Sequence, residues 1–187
     1  MMFIFAVVNF INTNGGYISM KNVYRKLLVF IAGAGILFIS GCAGFIRPQP
    51  GSVAAEDAIV MLDTLGTDSQ VWEGEDLTLR YTAAQSGNRL EVNGDILFSR
   101  SLTNTFNRAR KFNLIMSFVD NQGMVLQSYD IAPFLSMNDI ISNKVKFRAD
   151  KEVPQASVGI VFSYYGVFIA DQPTMGTWDI YYFPYNR

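Results

Sequence analysis

The chain has no histidine and a single cysteine among its 187 residues. Without histidine no Ser-His-Asp arrangement can form, and the commonest general base and zinc ligand is missing. One cysteine closes no intramolecular disulfide, so stability has to come from packing. Charge is sparse as well, with fifteen basic residues against sixteen acidic ones. A chain so balanced lacks the surplus of cations that neutralises phosphates, which sets nucleic-acid binding aside.

What is present starts with one organised stretch. Lys21, Arg25 and Lys26 form a positive segment, the apolar run Leu27 to Ile39 follows, and Ile39-Ser40-Gly41-Cys42 closes it. That order is a secretory signal. It resembles the lipobox of bacterial lipoprotein precursors, with an aliphatic Ile39, small residues at Ser40 and Gly41, and then the cysteine. The resemblance implies that Cys42 is acylated and becomes the new N-terminus. Ala43, where aspartate would retain the protein at the inner membrane, implies sorting to the outer membrane, and more than one acyl chain makes the anchor stable. The alternative is an uncleaved anchor, since Leu27 to Ile46 is about as long as the ~20 residues that span a bilayer. Both place the remainder on a membrane outside the cytoplasm.

Met20 begins a better signal peptide than Met1, so residues 1–19 are expected to be an upstream-start extension and 20–41 the signal. Cleavage before Cys42 leaves 146 residues, and all sixteen acidic but only twelve basic residues, a net charge of −4. A chain of that size buries about 68–70% of its unfolded surface, enough for one real core. Residues 42–52, with Pro48 and Pro50, are expected to be an extended stalk ahead of a domain at 53–187.

Ser52 is positioned to cap a short helix from Val53 to Leu65, with Gly66 as its terminator. From Asp76 the apolar period becomes two. Leu77, Leu79 and Tyr81 alternate with Thr78, Arg80 and Thr82; Gln85-Ser86-Gly87-Asn88 turns the chain; Leu90, Val92, Gly94, Ile96 and Phe98 continue the pattern. The second run predicts one strand, Arg89 to Ser99, bulged at Gly94, although Asn93-Gly94 also suits a type I′ turn. Phe112 to Ile131 reads as a β-hairpin around Asp120-Asn121-Gln122-Gly123. Lys144, Lys146 and Arg148 alternate with Val145, Phe147 and Ala149, as expected of an edge strand. Strands are also expected through Ala156, Val158, Ile160 and Phe162, and from Thr177 to Phe183. About seven short strands predict an all-β fold, an antiparallel sandwich of immunoglobulin- or fibronectin-like arrangement.

Catalytic groups are few. Asp171 and Asp179 flank the last turn and would serve a hydrolase only if their carboxyls converge. Glu73-Gly74-Glu75-Asp76 offers oxygen ligands without the spacing of a calcium loop. No cofactor or metal is expected. Arg100, Arg108, Arg110 and Lys111 bracket a loop, Ser101 to Asn107, and could meet anionic headgroups or an acidic partner. The C-terminal stretch holds Tyr164, Tyr165, Phe168, Trp178, Tyr181, Tyr182, Phe183 and Tyr185, more aromatics than one strand pair buries on a single face. Period two sends Trp178 and Tyr182 to one side and Tyr181 and Phe183 to the other.

The expectation is therefore a non-enzymatic, lipid-anchored envelope protein that docks another envelope component. Its surface would combine Trp178, Tyr181, Tyr182 and Tyr185 with Arg100, Arg108 and Arg110. The alternative is a carbohydrate or cell-wall glycan module that stacks sugar rings on the same aromatics.

Overall fold

The computed structural model describes residues 47–132, 139–142, 144–170 and 176–186. In chain order these form β1 (Val53–Ala54), a 3₁₀ turn (Glu56–Ala58), β2 (Val60–Met61), a second 3₁₀ turn (Leu62–Thr64), β3 (Gln70–Glu73), β4 (Leu77–Ser86) and β5 (Arg89–Phe98). Then come α1 (Arg100–Thr105), β6 (Arg108–Val119), β7 (Val125–Asp130), β8 (Asp139–Ile140), β9 (Lys144–Glu152), β10 (Gly159–Ile169), β11 (Thr177–Tyr182) and β12 (Tyr185–Asn186).

Period-two patterning makes the two main sheets, and every pairing is antiparallel. One sheet runs β3-β4-β5-β9; the other runs β11-β10-β6-β7, with β2 added to β10 and β8 to β6. Hairpins join β4 to β5, β6 to β7 and β10 to β11. Between them the chain changes sheet, so β9 returns beside β5 and β10 beside β6. This is the strand order of an immunoglobulin- or fibronectin-like sandwich, with β3 as an additional edge. The inward residues of both sheets meet in one core that includes Leu79, Tyr81, Ile96, Phe112, Phe118, Phe162 and Phe168.

The expected helix from Val53 to Leu65 does not form. Ala55 and Met61 are extended, and the segment makes two 3₁₀ turns between short strands. A lone helix of that length is marginal, whereas Val53 and Ala54 pair with Asn186 and Tyr185, and Val60 with Ile160. Three smaller corrections follow from pairing. Ser101 to Thr105 belongs to α1, with Ser99 as its cap accepting from the Leu102 N–H. The strand expected from Ala156 begins at Gly159, because Ala156 turns with a φ of 69°. β5 is one strand, but its register with β4 and β9 runs through Gly94 without a bulge. The glycine is needed there for close approach: a Cβ would lie 2.5 Å from the Arg80 carbonyl oxygen.

Residues 47–52, expected to belong to an extended stalk, are docked against β7. The Arg47 guanidinium meets the Asp130 carboxylate at 3.2 Å, the Ser128 hydroxyl donates to the Pro48 carbonyl at 3.0 Å, and the Gly51 N–H donates to the Val125 carbonyl at 2.9 Å. Continuing, the chain lays Ala54, Ala58 and Ile59 over the outer face of the second sheet, where they pack with Val119, Val125, Val161 and Tyr185. The β1–β12 ribbon thus roofs half of that face. Beneath it lie the buried Ser117 and Ser163, close to the Tyr185 hydroxyl.

Burial pushes both the Tyr185 and the Tyr81 hydroxyls up to about 12. Raised values mean that the folded chain keeps these protons longer than the unfolded chain, whose tyrosines titrate near 10. The associated stability is complete below pH ~10 and is lost as pH rises toward ~12, at about 1.4 kcal/mol per pH unit for each tyrosine. Urea unfolding measured in steps across that range should show the decline, and Tyr185→Phe should remove about a third of it at most, because burial raises the Tyr164 hydroxyl as well. A flat profile would contradict the burial of both hydroxyls.

Candidate functional site

At one end of the sandwich the β3–β4 turn, α1 and the start of β11 enclose a recess of ≈ 350 Å³ lined by Glu75, Asp76, Ser101, Leu102, Phe106 and Trp178. Each wall has a local cause. Ser99 caps α1, its N–H donates to the Asp76 carbonyl at 2.8 Å, and Leu102 is buried in the core. The Phe106 N–H closes the helix onto the Leu102 carbonyl at 2.8 Å, which turns the Phe106 ring toward Trp178, 5.6 Å between centroids. Trp178 nevertheless remains 53% exposed.

Asp76 is held from two sides by one hydroxyl. Tyr164 donates to Asp76 Oδ2 at 3.0 Å and accepts from the Asp76 N–H at 3.3 Å. Burial raises the Asp76 carboxyl above its usual range; the Tyr164 hydrogen bond opposes this, and the charge of Glu75 adds to it. Glu75 is exposed at the mouth. The recess therefore presents an exposed aromatic side chain beside two carboxylates and no cation among its lining residues.

The residues singled out from sequence are not one surface. Trp178 faces the recess, while Tyr181, 73% exposed, projects from the opposite side of β11. Tyr182 packs against Trp72 and Tyr164 at 5.3 and 6.0 Å, and Tyr185 is buried under the ribbon against Phe183. Arg100 opens α1, and Arg108 and Arg110 stand exposed at the start of β6. Asp179 lies beside Val167 on the Tyr181 side of β11; Asp171 is outside the described residues, as are Ile39, Ser40, Gly41, Cys42 and the alternative anchor through Ile46. Among the described residues no group of three or more acidic, histidine or cysteine side chains is placed to hold a metal ion.

A second, broader depression of ≈ 1030 Å³ lies over the outer face of the four-stranded sheet. There Lys144 pairs with Asp95 at 2.9 Å and Arg148 with Glu91 at 2.8 Å. Exposed pairs of this kind contribute little energy, and their strand, β9, is a sheet edge, as its alternating pattern predicts. These cations guard the edge and neutralise their neighbours, which leaves the end recess as the better binding site.

No protein-family model matches the chain, and no curated protein or solved structure is significantly similar to it. The fold and the recess define its class: an antiparallel β-sandwich with an aromatic and acidic pocket at one end.

Proposed function

We propose that this chain is a lipid-anchored protein of the bacterial outer membrane, acylated at Cys42, whose sandwich is a non-enzymatic binding module for a carbohydrate or cell-wall glycan. The observation that carries the glycan reading is the exposed Trp178 side chain beside Glu75 and Asp76 in the ≈ 350 Å³ recess. Pyranose rings stack their C–H faces on indole, and carboxylates accept from their hydroxyls; the volume falls within the range of ligand pockets. Docking of another envelope protein through a single aromatic tail is less well supported, because Trp178 and Tyr181 point to opposite sides and Tyr185 is buried.

Trp178→Ala is expected to weaken binding to a responsive glycan at least tenfold while leaving the thermal midpoint within a few degrees of the parent. The measurement is a glycan array followed by titration calorimetry on both proteins. Equal binding by parent and variant, or no glycan retained by either, would overturn the assignment.

A further inference from the structure

The roof over the second sheet stops halfway down its outer face. Below it the cross-strand rows Asn113–Tyr165–Tyr181 and Lys111–Val167–Asp179 are uncovered. Tyr181 is 73% exposed, Tyr165, Val167 and Ile169 are partly exposed, and the Lys111 ammonium sits 5.4 Å from the Tyr165 ring centroid. A register shift places Val167 opposite Lys111 and Phe168 opposite Ala109, which makes Arg110 an extra residue that stands exposed at the rim. Asp130, at the upper boundary, is already engaged by Arg47 at 3.2 Å and by the Asn113 amide at 2.8 Å.

We propose that this bare half-face lies on the surface of the membrane that holds the lipidated Cys42, with Tyr165 and Tyr181 at headgroup level and Lys111 and Arg110 against anionic phospholipid headgroups. The proposal rests on the lipoprotein reading and is independent of the glycan recess. Its main support is chain length. Arg47 is fixed to Asp130, and only residues 43–46 separate it from Cys42. Fully extended, that connection reaches about 18 Å. Strands are about 4.8 Å apart and rise about 3.3 Å per residue, so Tyr181, three strands from β7 and two residues along from the row of Asp130, is about 16 Å from the docked stalk. The cationic face of the four-stranded sheet lies on the far side of the sandwich and would be turned away. Tyrosines favour the membrane–water boundary, and lysine and arginine are drawn to anionic headgroups. Both residue types are therefore where a short tether would press them.

The test uses the full, acylated chain. Once Cys42 is acylated, a cysteine placed elsewhere is the sole free thiol, so Tyr181→Cys and Arg148→Cys variants can each carry one fluorophore; both parent side chains are well exposed. In vesicles of phosphatidylcholine and phosphatidylglycerol containing a nitroxide-headgroup lipid, quenching at position 181 is expected to exceed that at position 148 several-fold. Arg110→Glu with Lys111→Glu should abolish the difference. Equal quenching at the two positions, or stronger quenching at 148, overturns the orientation while leaving the anchor intact. Mass spectrometry of the same samples tests the anchor separately: no acyl adduct on the parent, or one retained by Cys42→Ser, overturns the lipoprotein reading itself. Protection of position 181 in native membranes but not in vesicles would assign the face to a protein partner, and would also overturn the proposal.

Discussion

Phe162→Ala should lower the unfolding free energy by about 3–5 kcal/mol, a large share of the ~5–15 kcal/mol that holds a domain of this kind together. The ring is fully buried near the middle of β10. It meets Tyr81 at 5.2 Å and Trp72 at 5.8 Å, both edge-on, so it joins β4 and β3 of one sheet to the strand at the centre of the other. Truncation removes the transfer energy of the ring, leaves a cavity between sheets that cannot collapse without changing their spacing, and deletes two edge-to-face pairs. Urea unfolding should show a lower midpoint with an unchanged slope. Phe162→Leu should lose much less, since it refills most of the space. A loss for Ala below about 1 kcal/mol would mean that the two sheets are not held by this contact.

Gly94→Ala is expected to cost about 1–3 kcal/mol, and Gly94→Val more. The position needs no special φ; the difficulty is contact. A Cβ there would stand 2.5 Å from the Arg80 carbonyl oxygen and 2.8 Å from Tyr81 Cβ. These neighbours are backbone or fixed directly to it, so no rotamer change relieves the overlap. β4 and β5 would have to move apart where Tyr81 pairs with Gly94, and Gly94 also pairs with Phe147 on β9. Hydrogen exchange should quicken first at the amides of Arg80 and Tyr81, before the ends of the same strands. An unchanged midpoint and unchanged exchange would show that the strand pair relaxes freely.

Local alternation made much of this fold legible. The period-two runs around Leu77–Tyr81 and Leu90–Phe98 became β4 and β5, the Asp120–Gly123 turn became the β6–β7 hairpin, and the alternating cations of β9 marked an edge. Sequence also divided Trp178 and Tyr182 from Tyr181 and Phe183. What it could not supply was the neighbour on each side. The Val53–Leu65 segment carries enough apolar residues for a helix, and its true partners, Tyr185 and Asn186, lie at the opposite end of the chain. α1 was not expected, since Ser101 to Asn107 read as a loop and its cap, Ser99, is one polar residue among many. Glu75, Asp76 and Trp178 were each conspicuous, but their meeting depends on a hairpin turn, a short helix and a strand from three separate parts of the sequence. Phe106, which positions the indole, carried no signal beyond being an aromatic in a polar loop.

The β1–β12 pairing has a kinetic consequence. Val53 and Ala54 are among the first residues of the domain, and Tyr185 and Asn186 are near its last. In a chain synthesised N-terminus first, β1 has no partner until residues 185 and 186 have emerged. Closing so long a loop is entropically the most expensive contact in the domain and belongs late in folding. The two sheets can assemble strand by strand as they emerge, but the Tyr185 roof over Ser117 and Ser163 is set only when the final residues arrive. Completion of the native domain is thereby made to wait on the pairing of two segments more than a hundred residues apart.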